Sequence, residues 1–217
     1  MKKKRSLVKK KSKKEDFSLK TEYKKSWAYL KDSKDFVYIV ILLFFIFAVI
    51  GFFFQDLVNL FVNWILGIDL NSQILEFIKQ MLEQTEGMGQ QELIGFIFFN
   101  NLQSSFFSMI LGVGFSILPI IAVVSNGYLL GVVAWITVQA EGPLVLWRLL
   151  PHGIFELPAI FLSLGLGLKL GTFLFRKDGR VSFKCYFINS LRIFLLIILP
   201  LLIIAALIEG SLIVLSG

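Results

Sequence analysis

Five long apolar segments alternate with polar stretches along the chain. They cover approximately residues 36–54, 93–112, 115–138, 149–174 and 186–208. A helix that crosses a bilayer needs about 20 predominantly apolar residues, and each segment reaches roughly that length. The pattern predicts an all-α fold, an integral membrane bundle of about five transmembrane helices. We divide the chain into a basic tail, residues 1–35, and a membrane domain, residues 36–217.

The loop between the first two spans, residues 55–92, has apolar residues at intervals of three and four positions. This spacing is typical of amphipathic helices, and Asp69, Asn71 and Ser72 divide the loop into two short ones. Their apolar faces consist of Leu57, Leu60, Phe61, Trp64, Ile65 and Ile68, and of Ile74, Leu75, Ile78, Met81 and Leu82. Two placements fit equally well: on the membrane surface, or packed on the protein's own extramembrane face.

The charges are distributed unevenly along the chain. The composition is 56% hydrophobic and 17% charged with a net charge of +7, and residues 1–35 hold 14 Lys/Arg against 5 Asp/Glu. Lys and Arg accumulate on the cytoplasmic side of membrane proteins. The bias predicts a multi-pass protein of the cell membrane with a cytoplasmic N-terminus, and with the 55–92 loop and the C-terminus outside.

The basic tail is expected to bind the anionic inner leaflet of the lipid bilayer. Each Lys or Arg near anionic lipid contributes about 1 kcal/mol to such binding. Lipid attraction and topology account for the positive charge, so no nucleic acid partner is expected. Arg192, in the inner part of the fifth span, is expected to extend towards the interface.

A few polar side chains lie inside the predicted spans, where they are costly and informative. We expect them to approach one another as an intramembrane polar cluster in the outer half of the membrane: Asn100, Asn101, Asn126, His152 and Glu156. His152 precedes Glu156 by one helical turn, close enough for contact. Two interpretations remain open, namely hydrogen bonding between helices and a proton or ion pathway.

Small residues form stripes along the second, third and fourth spans. Small stripes let membrane helices approach closely, so these three spans are predicted to form a tight core. The helix-packing residues are Ser104, Ser108, Gly112, Gly127, Gly131, Ala159, Ser163, Gly167 and Gly171. The stripe on the fourth span would face either the second span or another subunit, which leaves a homo-oligomer possible.

The chain offers no recognisable catalytic machinery. It has one His and one Cys, which excludes a tetrahedral zinc site built from these ligands within one chain. It also lacks a phosphate-binding GxxxxGK[ST] loop, an HExxH motif and a nucleophile elbow. We therefore expect no enzyme, no catalytic residue, no metal and no cofactor.

Several motifs together resemble the stage II sporulation protein M family. They are Asn100-Asn101, Gly112-Val-Gly114, Asn126-Gly127 with Gly131, Pro151-His152-Gly153 with Glu156 and Ala159, and the glycines at 165, 167 and 171. The resemblance covers about residues 93–180, and PHGIFELPAI is its most specific part. It implies a protein of about five spans that anchors and localises peptidoglycan-degrading partners without being the hydrolase itself.

Two functional hypotheses follow from the sequence. In the first, the chain is a non-catalytic membrane scaffold that anchors or localises partner proteins or shapes the membrane. Its outer amphipathic loop would bind the protein partners. In the second, the chain is a small transporter or channel component that uses His152 and Glu156.

Overall fold

The computed structural model describes residues 18–113 and 116–216, without the side chains of 147–152 and 213–216. Every element in these residues is helical. The helices are α1 (Leu19–Asp32), α2 (Lys34–Phe53), α3 (Gln55–Leu66), α4 (Leu70–Thr85), α5 (Gln90–Ile110), α6 (Ile117–Glu141), α7 (Leu150–Gly171), α8 (Gly179–Ile193) and α9 (Leu199–Ser216). Short 3₁₀ turns follow α5, α6 and α7, and a π-helical turn, Phe194–Ile198, joins α8 to α9.

Five helical segments of the described chain are long and apolar enough to cross a membrane. They are Lys34–Phe53, Gln90–Val113, Ile117–Glu141, Gly153–Phe175 and Gly179–Leu212. Their number and positions confirm the predicted all-α membrane bundle. The fifth, at 34 residues, is longer than the sequence predicted, because α8 continues through the π-helical turn into α9 without a break.

The fourth span, α7, lies at the centre of the bundle. It is buried over 61% of its most apolar window, against 33% or less for each of the other four spans. On one side Ala159 and Leu166 pack with Met109 of α5 and Leu202 of α9. On the other side Leu164 belongs to a cluster with residues of α2 and α6. Helix α7 therefore separates a pair formed by α5 and α9 from a pair formed by α2 and α6.

The two ends of the bundle differ in what they carry. At one end, which we call the basic end, lie α1, the connection between α5 and α6, and the turn Thr172–Phe175. At the other, the hairpin end, α3 and α4 form a helical hairpin that connects α2 to α5.

Candidate functional site

The closest helix contact in the core joins the second and fourth spans. A Cβ built on Gly112 would lie 1.9 Å from the carbonyl oxygen of Gly167, and one on Gly167 would lie 2.5 Å from that of Ser108. Next to them, a Cβ on Gly171 would collide with the hydroxyl of Ser116, which donates a hydrogen bond of 3.0 Å to the carbonyl of Leu168. The small stripe of α7 therefore faces the second span and the turn after it.

The glycines of the third span pack on the first span. A Cβ on Gly127 would lie 2.4 Å from the carbonyl oxygen of Phe44, and one on Gly131 would lie 2.1 Å from that of Ala48. Gly51 of α2 makes the reciprocal approach to Tyr128. The tight packing predicted for spans two, three and four therefore extends to the first span, because α2 and α6 pack backbone to backbone.

The second span is rotated relative to the predicted stripe. Ser105 and Met109 are buried, whereas Asn100 and Ser104 are exposed and Ser108 is half-buried. Successive residues are about 100° apart around a helix. The buried positions lie one residue after the predicted ones, so a different face of α5 is turned towards the core. The large apolar side chains of α5 determine which face is buried, and Gly112 reaches the core from the 3₁₀ turn that follows.

The polar residues of the predicted cluster have separate surroundings. Asn126 donates a hydrogen bond of 2.7 Å to the carbonyl of Ala122 in its own helix. Asn101 is half-buried on α5, and Glu156 is half-buried on α7. Among the described side chains, no hydrogen bond joins these residues or Asn100 to one another. His152 belongs to α7, but its side chain lies outside the described residues.

Glu156 instead has an acidic neighbour that the sequence did not single out. The carboxyl group of Glu209, on α9, lies close enough to Glu156 to interact with it electrostatically. The two residues are 53 positions apart, and Glu209 lies just beyond the predicted fifth span, so no local pattern connected them. Two carboxyl groups therefore share the half of the bundle nearest the hairpin end.

Of the small residues on α7, Ala159 and Ser163 are completely buried. Ala159 packs with Met109 and Leu202. Both residues lie on the helix at the centre of the bundle.

A buried lysine connects α1 to the membrane core. The Lys169 side chain of α7 is 4% exposed and forms an ion pair with Asp32, which is 73% exposed. The ammonium group also donates a hydrogen bond of 3.0 Å to the hydroxyl of Ser33 and lies 3.9 Å from the ring centre of Tyr29. Tyr186 of α8 completes the surroundings at 5.6 Å. A charge without partners is costly to bury. Asp32, Ser33 and Tyr29 compensate the buried ammonium group of Lys169, and these contacts hold α1 against the core.

A second ion pair joins α1 to α8, which is the first part of the fifth span. Arg192 binds Glu22 and also donates a hydrogen bond of 2.5 Å to Asn189. The sequence did not indicate this partner, which α1 brings to Arg192 at the basic end of the bundle. Partial desolvation raises the pKa of Glu22, but hydrogen bonds from Lys25 and Arg192 outweigh this effect and the pKa lies below its usual value. Glu22 is therefore ionised at neutral pH and holds α1 on α8. We refer to the contacts of Lys169 and Arg192 together as the α1 clasp.

Polar contacts fix the hairpin of α3 and α4. Gly67, with a φ of 69°, ends α3 in the left-handed conformation that glycine tolerates. The side-chain oxygen of Asn59 accepts hydrogen bonds from the backbone N–H groups of Leu70 and Asn71, at 2.7 and 3.2 Å. Asp69 caps α4, and hydrogen bonds from Ser72 hold the pKa of the Asp69 carboxyl below its usual value. The turn is thus built to hold both helices in one arrangement.

The two helices of the hairpin use their apolar faces differently. On α4, Ile74 is buried and packs with Tyr128 and Val132 of α6. On α3, Val58 is half-buried against the same cluster, whereas the residues of the predicted apolar face are exposed, from 53% at Ile65 to 81% at Trp64. The placement on the protein's own surface is therefore correct for α4. It is wrong for α3, whose apolar face remains uncovered by the described chain.

The described residues do not bring together three His, Cys, Asp or Glu side chains that could hold a metal ion. Their chemistry is that of buried charges, close glycine contacts and one exposed apolar helix. Together with five helices long enough to span a bilayer, these features define a helical integral membrane protein with several spans.

Comparison with known proteins identifies the family. The family model described as stage II sporulation protein M matches residues 40–212, which is most of the chain. The protein belongs to this family. The match extends from α2 to α9 and so includes most of the first span and the whole of the other four. Neither the curated proteins nor the solved structures that were compared yield a match.

Proposed function

We propose that this protein is a non-catalytic membrane scaffold that anchors a partner protein through the apolar face of α3. The observation that carries the proposal is this face, which includes Leu60, Phe61 and Trp64, each at least 60% exposed. Aromatic residues are enriched at the centres of protein interfaces, and Trp above all. The core beneath supports such a role, because a rigid bundle holds the hairpin at a fixed position.

The proposed orientation places the basic end in the cytoplasm and the hairpin end outside. Short loops rich in Lys and Arg remain on the cytoplasmic side. In the described chain, Arg176, Lys177, Arg180 and Lys184 lie together around the turn between α7 and α8. The partner of α3 is then a protein of the extracytoplasmic side, and the C-terminus lies on that side too.

The inner leaflet is the proposed lipid partner of the basic end. A groove of about 570 Å³ between α1 and α8 is lined by Lys25, Arg180, Lys184 and Arg192, with Val181 and Ile188 among its apolar residues. Basic side chains above apolar ones match the headgroup and upper acyl region of an anionic lipid. The sequence before residue 18, which lies outside the described residues, is also rich in Lys and Arg.

Photo-crosslinking tests the docking role of α3. A photo-reactive residue at Phe61 should capture one discrete protein in native membranes, and Leu60→Ser/Trp64→Ser should abolish the adduct. Loss of a central aromatic anchor costs about 2 kcal/mol or more, a weakening of about 30-fold. These side chains are exposed, so the variant should keep the stability of the wild-type bundle.

The matched control is Lys79→Ala/Glu83→Ala, which removes an exposed ion pair from the other helix of the hairpin. It should leave the adduct unchanged. Adducts with lipid alone would overturn the proposal and place α3 on the membrane surface instead.

A transporter or channel component is the second candidate function. The neighbouring carboxyl groups of Glu156 and Glu209 favour it, because acidic residues inside a bundle are a feature of proton and ion pathways.

A further inference from the structure

The second span exposes polar side chains at the depth where lipid offers them no partner. Asn100, Gln103 and Ser104 are all exposed on the surface of the bundle. They lie within about 4 Å of the midpoint of the segment Gln90–Val113, measured along the helix axis. In a bilayer this is the centre of the hydrocarbon layer, where exposed amide groups are costly.

These side chains share one face of α5. Their spacing of three and four residues places them in one stripe, which Phe107 continues with an exposed fraction of 51%. Within the described chain, none of the three polar side chains forms a hydrogen bond with another residue. A groove of about 680 Å³, with Gln103 on its wall, lies between α5 and the π-helical turn.

We propose that this face, the α5 polar stripe, is the interface of a parallel homodimer. Copies that insert with the same orientation can pair about a twofold axis along the membrane normal. Each residue near that axis then meets its own counterpart at the same depth.

A second copy is the occupant that this chemistry fits. Asn and Gln each carry a donor and an acceptor, so Asn100 and Gln103 can satisfy their equivalents across the axis. Ser104 is small and lets the two helices approach closely. The match in depth follows from the symmetry, whereas an unrelated helix would have to present amides at the same level independently.

Cysteine crosslinking in native membranes tests the interface. In a Cys185→Ser background, Gln103→Cys should form a disulfide-linked dimer upon mild oxidation. Leu42→Cys is the matched control, because Leu42 is 63% exposed and equally close to the midpoint of its span, but lies on α2. It should remain monomeric. Equal crosslinking at both positions, or at neither, would overturn the proposal.

A second variant separates an interface from a role within the monomer. Asn100→Leu/Gln103→Leu/Ser104→Leu should weaken dimerisation in vesicles by at least about 10-fold, since the hydrogen-bonded pairs of Asn100 and Gln103 are both lost and one interhelical hydrogen bond in a membrane contributes about threefold. Its melting temperature at monomeric dilution should be at least that of the wild type. Unchanged dimerisation, a destabilised monomer, or a disulfide from Gln103→Cys to a different protein would each contradict a homodimer built on this stripe. The test is independent of what α3 binds.

Discussion

Replacing Gly112 with alanine should lower the melting temperature of the purified protein by about 10 °C. The added Cβ would lie 1.9 Å from the carbonyl oxygen of Gly167, and two backbones cannot separate without opening the centre of the bundle. Overpacking of this kind costs up to about 3 kcal/mol, and in a chain of this length each kcal/mol corresponds to about 2–4 °C. Thermal unfolding in detergent provides the measurement.

Gly95→Ala is the matched control for this substitution. Gly95 lies in the same span, on α5, but a Cβ there would meet nothing within 4 Å. Alanine is favoured over glycine in a helix by roughly 0.5–1 kcal/mol, so the control should melt at the wild-type temperature or slightly above it. If the melting temperature of Gly112→Ala equals that of Gly95→Ala, the close approach of the second and fourth spans does not stabilise the core.

The two residues of the Lys169–Asp32 ion pair in the α1 clasp should differ in how much their substitution lowers the stability of the bundle. Asp32→Ala leaves the ammonium group of Lys169 buried without its carboxylate, at a cost of about 2 kcal/mol. Lys169→Met fills the same space with an apolar side chain and leaves Asp32, which is 73% exposed, to water. This variant should be close to neutral in stability.

The double variant Asp32→Ala/Lys169→Met should recover the stability that Asp32→Ala loses. Amide hydrogen exchange over Leu19–Asp32 measures the docking of α1 directly, and thermal unfolding reports the whole bundle. Exchange in α1 should be faster in Asp32→Ala alone. Equal destabilisation by both single variants would show that the ion pair itself, and not the burial of Lys169, determines the stability.

The spans could be predicted because their signal is local. The first span, predicted at about 36–54, is observed at Lys34–Phe53, since a predominantly apolar run of 19 residues has few alternatives to a membrane helix. The family assignment also rests on residues close together in the sequence, chiefly those around His152. The sequence did not predict the short helix α1, because its residues are mostly polar and form part of a lysine-rich tail. Its packing partners also lie far along the chain.

Contacts between helices were harder to predict than the helices themselves. On α5 the stripe Asn100–Ser104–Ser108 has the right period, yet Ser105 and Met109 pack and the stripe is largely exposed. Periodicity identifies a face but not its neighbour. Likewise the ion pair of Lys169 could not be predicted, since its partner Asp32 is 137 residues away and no short-range pattern joins them.

Ion flux through reconstituted vesicles tests the central claim most directly. A scaffold should leave the proton permeability of vesicles containing the wild-type protein equal to that of protein-free vesicles at every pH. Glu156→Gln and the charge-matched control Glu76→Gln, on the exposed surface of α4, should then both be without effect. A flux in the wild type that Glu156→Gln abolishes and Glu76→Gln preserves would contradict the scaffold and identify a transport pathway through α7.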